Sequence, residues 1–180
     1  GVGVLGKLGG GVIEHFQLHP DQFLAISLSL GKSFCGMGGV VAGKKNVIEA
    51  VTQFSKTYRY TTGLPPAICC GLLSALNIIR KENWRREKLM ENIDYFNNEI
   101  LKRNLSLVST DLTPIRSVLI GDNQLVLTVQ KKLLEKGYFV SAVRPPSVPN
   151  NSARIRISLS STHTKEQLLE LINALSGLLV

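Results

Sequence analysis

The chain of 180 residues is long enough to bury a substantial core, and its 44% apolar and 19% charged residues exclude an intrinsically disordered chain. No apolar run is long enough to span a bilayer and the first residues lack a signal-peptide pattern, so we expect a cytoplasmic protein with no membrane partner. The formal net charge of +8 suits a phosphate-bearing partner, but it does not choose between nucleic acid, a nucleotide-like carrier and an anionic cofactor.

The chain begins with a glycine-rich stretch, GVGVLG at residues 1–6, which matches the G-x-G-x-x-G pattern of dinucleotide-binding sites. That fingerprint needs a strand before it and a helix after it, whereas residues 9–11 are again glycine. We therefore predict a loop without dinucleotide-binding function. A chain that starts inside a glycine-rich loop is expected to be part of a longer protein.

The next segments predict a strand pair and a helix. Residues 24–30, LAISLSL, alternate large apolar residues with small ones, which is the period-two signature of a strand. Residues 40–43 predict a second short strand, and residues 44–54 predict a helix.

A long helix is predicted to follow, because Pro65 and Pro66 suit a first helical turn. We expect it to continue, with a break near Asn83, to Ile100. Its apolar positions are Ile68, Leu72, Leu73, Leu76, Ile79, Trp84, Leu89, Ile93, Phe96 and Ile100.

Beyond this helix, strands alternate with helices, which indicates an α/β or α+β unit with a boundary near residue 86. Asp122 can cap a helix that carries Leu125, Val129, Leu133 and Leu134 and ends at Gly137. Thr164 and Gln167 form a capping box for a last helix, whose apolar face is Leu168, Leu171, Ile172 and Leu175. The predicted strands are 115–121, 138–144 and 153–159.

Four local features carry little chemistry. Residues 31–33, GKS, resemble the end of a P-loop, but Ile26 stands where that motif requires glycine. His15 and His19 lack a third ligand of matching spacing, so we expect a surface pair and no metal site. The mixed charges of residues 80–88 are typical of a solvated helix face rather than a nucleic-acid surface. Cys35, Cys69 and Cys70 suit neither disulfides nor zinc and are expected to be buried free thiols.

The stretch SLGKSFCGMGG, residues 29–39, places Lys32 just after a predicted strand and among four glycines. A nucleophilic lysine must be partly neutral, so it needs burial or a neighbouring cation that lowers its pKa. The glycines would let a planar ring approach the backbone, and Ser29 can donate a hydrogen bond to a phosphate. From spacing alone, an exposed lysine in a flexible loop stays the alternative.

The chain resembles the α-oxoamine synthases, which are pyridoxal-phosphate enzymes of the aspartate-aminotransferase fold. The motifs that carry the resemblance are SLGKSFCGMGG (29–39), YRYTTGLPPA (58–67), IGDN (120–123), VRPPSVP (143–149) and ARIRISLS (153–160), in the family's order. The resemblance implies an α/β fold in which residues 1–86 end the large cofactor-binding domain and include an inter-domain helix. Residues 87–180 then form the small C-terminal α/β domain.

The resemblance also implies residue roles. The lysine that matches Lys32 holds pyridoxal phosphate covalently and later moves protons at the substrate α-carbon. Hydroxyl groups that match Ser29 and, from the other subunit of a homodimer, Thr61 and Thr62 bind the cofactor phosphate. Ser147 matches a position in the substrate pocket. Arg156 matches the residue that binds the amino-acid carboxylate, and Arg154 stays an alternative because it lies on the same strand face.

The VRPPSVP and GDN segments are most like those of the biotin-pathway branch of the family. This branch condenses L-alanine with pimeloyl-CoA, or with the pimeloyl-acyl carrier protein, to 8-amino-7-oxononanoate and carbon dioxide. The family's Asp-x-x-His motif, whose aspartate pairs with the cofactor's pyridine nitrogen, belongs immediately before a stretch like GVGVLG. We therefore expect these residues to be the C-terminal part of a synthase and to be inactive alone.

Other functions stay open. Another α-oxoamine synthase, of the glycine C-acetyltransferase or 5-aminolevulinate synthase type, is the alternative within the family. A non-catalytic dimerisation partner and a basic nucleic-acid-binding domain are further alternatives, although we expect no nucleic-acid partner.

Overall fold

A computed structural model describes residues 1–179, which divide into two compact units, Gly1–Arg86 and the residues from Glu87 onward. The division falls at residue 86, where the sequence also places a boundary. The assignment of the first unit to a larger cofactor-binding domain, and of the second to a small C-terminal domain, stays a prediction.

The first unit contains an antiparallel strand pair, β1 (Ala25–Ser29) and β2 (Gly39–Gly43), in which Ser29 pairs with Gly39. Both strands lie where the apolar alternation predicts them, and the loop that joins them carries Lys32. The helices of this unit are α1 (Val12–His15), α2 (Lys45–Phe54), α3 (Lys56–Arg59) and α4 (Pro66–Lys81), with a 3₁₀ turn at Pro20–Gln22.

Helix α4 starts at the predicted prolines and ends at Lys81, and α5 (Trp84–Lys102) begins two residues after Glu82, so the predicted break near Asn83 is confirmed. Pro66 fits the first turn because the missing amide hydrogen has no intrahelical acceptor there. The partly buried face of α4 consists of Ile68, Leu72, Ala75, Leu76 and Ile79. Leu73, counted among the apolar positions, is 63% exposed.

The prediction that the cysteines are buried is wrong, because Cys35, Cys69 and Cys70 are all exposed free thiols. Cys69 and Cys70 follow Ile68 directly, and at 100° per residue these positions turn away from the partly buried face of α4. Cys35 lies in the loop after β1 with a positive φ of 51°.

The second unit contains a three-stranded antiparallel sheet in the order β3-β5-β4, formed by β3 (Ile115–Gly121), β4 (Ser141–Val143) and β5 (Ala153–Ser158). The strand predicted at 138–144 is wrong in length, because only Ser141–Val143 pair with β5. Phe139, inside the predicted strand, is 89% exposed.

Both predicted helix caps of this unit are confirmed. Asp122 accepts hydrogen bonds from the Gln124 and Leu125 amides at 2.9 and 2.6 Å, and α6 (Asn123–Glu135) follows. Thr164 and Gln167 exchange side-chain and backbone hydrogen bonds at 3.0 and 3.3 Å at the start of α7 (Lys165–Leu179). Gly137 ends the segment after α6 with a φ of +89°, which favours glycine.

The core of the second unit forms from one face of β5 and one face of each of its helices. On β5, Ala153, Ile155 and Ile157 are buried, so Arg154 and Arg156 share the opposite face. On α6 the buried residues are Val126, Val129 and Leu133, whereas Leu125 and Leu134 are exposed. Each fully buried aliphatic side chain contributes roughly 1.5–3 kcal/mol. The predicted face of α7 is buried as expected, and α5 adds Ile93, Phe96 and Ile100.

One buried charge in the second unit was not predicted. Arg116 on β3 is 1% exposed, and its guanidinium donates to the Asp111 carboxylate, to Thr113 Oγ1 at 2.8 Å and to Asn97 Oδ1 at 3.3 Å. It also donates to the Ser109 and Ile115 carbonyls. The network satisfies all three guanidinium nitrogens, which is what a buried arginine requires.

None of the helices within residues 1–179 is both long and apolar enough to cross a lipid bilayer.

Candidate active site

The loop between β1 and β2 presents Lys32 at the end of β1. Backbone hydrogen bonds close this loop, from the Leu30 amide to Gly38 O at 3.0 Å and from the Gly36 amide to Leu30 O at 2.9 Å. Gly36 packs directly against α4, because a Cβ at this position would overlap with Leu72 Cδ2 unless the leucine side chain moved. The loop therefore rests on α4 and holds the backbone of Lys32 in a defined place.

Lys32 and Ser29 line the same cavity of about 510 Å³. The structure thus brings together two predicted cofactor-binding residues that lie three positions apart in the sequence. Its other lining residues are mostly small or apolar and include Gly1, Val2, Val4, Gly10, Ile26 and Ala42. The Ser29 hydroxyl oxygen accepts from the Gly31 amide at 3.3 Å, which leaves its hydrogen free to be donated.

The burial that a nucleophilic lysine was expected to have is not found within residues 1–179, since Lys32 is exposed. Its ammonium group forms no hydrogen bond or ion pair with any described residue. The Lys32 side chain is therefore accessible from the cavity, and no described residue has to release it before it contacts a ligand there.

Part of the wall of this cavity is formed by the glycine loop, which we define as residues 1–11. The loop is folded on itself, with a hydrogen bond from the Gly3 amide to Gly9 O at 2.7 Å and another from the Gly11 amide to Leu5 O at 2.9 Å. Gly3 and Gly9 both have a φ near +80°, which explains why glycine is needed. The prediction of a loop is confirmed, but the short helix α1 directly after it was not predicted.

Two charged residues that the sequence did not single out fix the glycine loop. The Glu14 carboxylate accepts from the Leu8 and Gly10 amides at 2.8 and 2.7 Å, and these two hydrogen bonds hold the pKa of Glu14 below its ordinary value. Arg86 donates to Lys7 O at 3.0 Å and to Ile79 O, in the last turn of α4, at 2.7 Å. Arg86 is 7% exposed, so its assignment to a solvated helix face is wrong.

Other charged residues in and beside the segment 80–88 lie on a solvated helix face, as predicted. Arg85 forms an ion pair with Glu82 at 2.6 Å and stacks 4.6 Å above the Trp84 ring, and Lys88 pairs with Glu91 at 3.3 Å.

Thr61 and Thr62 lie between α3 and α4 and are both exposed. They do not line the cavity that contains Lys32 and Ser29. Their hydroxyl groups form no hydrogen bond with other residues in the range 1–179, so both are free to bind a group from outside this chain.

In the second unit, Ser147 and Arg156 line one cavity of about 450 Å³. Arg156 is exposed, and within the described part of the chain its guanidinium has no partner. Arg154 differs, because its Nε already donates to Ser152 O at 2.9 Å. Arg144, which was not considered a site residue, also lines this cavity together with Ser141. The cavity thus offers cationic and hydroxyl groups, which suit a carboxylate ligand.

Residues 1–179 contain no cluster of three side chains that could bind a metal ion. His15 stacks edge-on against Phe16, while His19 Nδ1 accepts from the Asp21 amide and both histidines are exposed.

The cavity of the first unit fits the pyridoxal phosphate that the resemblance implies. It combines a free primary amine for the aldehyde, a free hydroxyl donor for the phosphate and a lining of small residues that admits a flat ring. A volume of about 510 Å³ is in the range of small-molecule sites.

Comparison with known proteins gives consistent matches. The profile of the family described as "Aminotransferase class I and II" matches residues 2–175. The 8-amino-7-oxononanoate synthase of Pseudomonas putida (strain W619) is 43% identical over 176 residues, which are 98% of this chain and 45% of that protein. The chain therefore spans less than half the length of this curated relative.

Solved structures match the fold of the whole described chain. The 8-amino-7-oxononanoate synthase from Francisella tularensis matches with a TM-score of 0.89 at 36% identity, over 97% of this chain and 51% of that one. A serine palmitoyltransferase from Sphingomonas wittichii matches with a TM-score of 0.91 at 22% identity, over 99% and 45% of the two chains, which indicates a shared fold only. The predicted fold class, an α/β chain of the aspartate-aminotransferase type, is confirmed.

Proposed function

Because the chain belongs to the aminotransferase class I and II family, we propose that it supplies the C-terminal part of a pyridoxal-phosphate-dependent acyltransferase. The complete enzyme would condense L-alanine with a pimeloyl thioester to form 8-amino-7-oxononanoate in biotin biosynthesis. The observation that carries the proposal is a cavity lined by both the Lys32 side chain, which has no partner among the described residues, and the Ser29 hydroxyl, whose hydrogen is free to be donated. The choice of product follows the relatives of about 42% identity that are named 8-amino-7-oxononanoate synthase.

Pyridoxal phosphate, when bound, supplies the electron sink that stabilises negative charge at the α-carbon of an amino acid. Lys32 would hold the cofactor by its Nζ atom and later accept and return the proton at the α-carbon. Ser29 would donate its hydroxyl hydrogen to the cofactor phosphate. The glycine loop would exclude water from one side of the cavity.

In the second unit, Arg156 would bind the α-carboxylate of the amino acid, because a planar guanidinium without another partner can form two parallel hydrogen bonds to it. Ser147, which lines the same cavity, would contact the acyl substrate.

The partner and compartment are also proposals. Thr61 and Thr62, exposed and without hydrogen-bond partners in the described residues, would bind the cofactor phosphate of the second subunit in a homodimer. We place this dimer in the cytoplasm, and sedimentation of the complete protein as a monomer would contradict it.

The direct test uses the complete enzyme. Borohydride reduction followed by peptide mapping should place the pyridoxyl group on Lys32, and L-alanine with pimeloyl-CoA or the pimeloyl-acyl carrier protein should yield 8-amino-7-oxononanoate. Turnover of glycine in preference to alanine would identify a different synthase. A protein that binds no cofactor would instead be a non-catalytic partner, and modification of another lysine would refute the assignment of Lys32.

The role of Arg156 gives a second prediction. Arg156→Gln should raise the KM for alanine on the order of 10- to 100-fold, because a charge-assisted pair of hydrogen bonds to the carboxylate is lost. Steady-state kinetics with alanine as the varied substrate measures this change.

The matched control is Arg154→Gln, which changes the neighbouring arginine on the same strand face. Because Arg154 is already bound to Ser152 O, its replacement should leave the KM for alanine within about twofold, well below the loss of a charge-assisted bond. A larger KM for the Arg154 variant than for the Arg156 variant would transfer the carboxylate-binding role to Arg154.

A further inference from the structure

The residue after Lys32 connects two loops of the cavity wall. Ser33 Oγ donates a hydrogen bond of 2.5 Å to Val2 O, thirty-one residues away in the glycine loop. The contact is tight, since a Cβ on Gly3 would lie 2.6 Å from Ser33 Oγ. The Ser33 hydroxyl is thus pressed against the backbone of Val2 and Gly3.

The glycine loop can serve as an anchor because it is itself held at two further points. Glu14 binds the Leu8 and Gly10 amides, and Arg86 joins Lys7 O to the end of α4. Arg86 is almost fully buried, so the two hydrogen bonds that it donates are partly shielded from water.

Apart from its backbone hydrogen bonds and the packing of Gly36 against α4, the Lys32 loop is held by a single hydrogen bond from one of its own side chains. Among the described residues 30–38, Ser33 is the one whose side chain forms a hydrogen bond, while the ammonium group of Lys32 has no partner. Lys32, Ser33, Val2 and Gly10 all line the same cavity. The Ser33 hydroxyl therefore fixes the backbone next to Lys32 relative to the glycine loop.

We propose that Ser33 is a positioning residue for Lys32, which acts by tying the lysine loop to the glycine loop through Val2 O. The proposal rests on the proposed function for its consequence, which is that the Lys32 amine meets the cofactor aldehyde in the correct place. Ser33 itself touches neither cofactor nor substrate in this assignment.

The test compares Ser33→Ala and Ser33→Cys in the complete enzyme with the wild type. Both variants lose the strong hydroxyl donor, and the cysteine variant keeps nearly the same side-chain shape. In the cofactor-free protein, amide hydrogen exchange of Gly3 and Gly9 should become about 3- to 10-fold faster, as expected for the loss of one hydrogen bond. After cofactor addition, the absorbance change that reports attachment to Lys32 should be slower by a similar factor.

Ser74→Ala is the matched control, because Ser74 Oγ also donates to a backbone carbonyl, Cys70 O at 3.1 Å, but on the exposed face of α4. This variant should match the wild type in both measurements. The proposal is overturned if Ser33→Ala has the wild-type rates of amide exchange and of cofactor attachment. It is also overturned if Ser33→Cys has them.

The two proposals fail separately. If the wild-type enzyme does not attach the cofactor to Lys32, the proposed function fails. Amide exchange of Gly3 and Gly9 then tests by itself whether Ser33 holds the two loops together. Faster amide exchange in both Ser33 variants would show that the hydrogen bond from Ser33 to Val2 O stabilises the glycine loop, and unchanged exchange would refute this.

Discussion

Replacement of Lys32 by alanine in the complete enzyme is expected to abolish covalent attachment of the cofactor and to lower kcat for the condensation on the order of 10³-fold or more. The loss would be large because, in the proposed function, one side chain would both hold the cofactor and transfer a proton. Proton transfer alone typically contributes about 10²- to 10⁴-fold. Mass spectrometry of the reduced protein and steady-state kinetics measure the two effects.

Lys45→Ala is the control for this substitution. Lys45 is a lysine of the same unit whose side chain is 92% exposed and pairs only loosely with Glu49, at 3.8 Å. Cofactor content and kcat of this variant should equal those of the wild type. An Lys32→Ala enzyme that keeps its turnover would refute the active-site assignment.

The second large effect is expected at Arg116. Arg116→Met keeps the apolar stem but removes the guanidinium, which leaves Asn97 Oδ1 and the Ser109 carbonyl without their donor. We expect a loss of about 2–4 kcal/mol in the local stability of the sheet, since removal of one partner from a buried charged network is strongly destabilising. Hydrogen exchange of the β3 and β5 amides in the complete protein measures the free energy of opening.

Lys102→Met provides the comparison, because its ion pair with Glu99 is short, 2.6 Å, but the lysine side chain is 68% exposed. Such a pair contributes at most about 1 kcal/mol. Equal losses of local stability in Arg116→Met and Lys102→Met would show that the buried network stabilises the protein no more than an exposed ion pair does.

The effect of Arg116→Met should also depend on pH. Hydrogen bonds from Thr113, Ser109 and Arg116 lower the pKa of Asp111 well below its ordinary value. A carboxyl group with a lowered pKa in the folded state stabilises the fold above its unfolded pKa, near 3.9, and loses this contribution as the pH falls further. The free energy of opening of the β3 and β5 amides should therefore differ less between wild type and Arg116→Met below about pH 4 than above it.

Much of the fold could be predicted because local patterns and tertiary packing agree. In β5, a strict alternation puts Ala153, Ile155 and Ile157 into the core, and a register shifted by one residue would bury Arg154 and Arg156 instead. The Asp122 cap and the Thr164–Gln167 box depend only on neighbouring residues, so sequence alone located both helix starts.

Buried polar contacts over long sequence distances could not be predicted. Arg86 reaches Lys7, seventy-nine residues away, and the local charge pattern around it is the same as that of the exposed Arg85. Arg116 sits in a strand whose alternation marks its position as inward, but only the loop at residues 109–113 supplies its partners.

The sequence grouped candidate residues that also share a cavity in the structure, but their roles stay predictions and their surroundings were not predicted. Lys32 and Ser29 share a cavity, as do Ser147 and Arg156, because each pair lies close in sequence or on joined strands. The exposure of Lys32 and the tie through Ser33 were missed, since no local pattern relates residue 33 to the carbonyl of residue 2.

The strand pair β1–β2 has a practical consequence for handling this polypeptide. Within residues 1–179, each of the two strands has one hydrogen-bonded neighbour, and Leu24, Val40 and Val41 beside and within them are exposed. An edge strand presents unpaired backbone N–H and C=O groups, and with apolar side chains beside them it can pair with a strand of another molecule. A cell that makes these residues by themselves would accumulate them as aggregates, and production together with segments that cover those edges would prevent it.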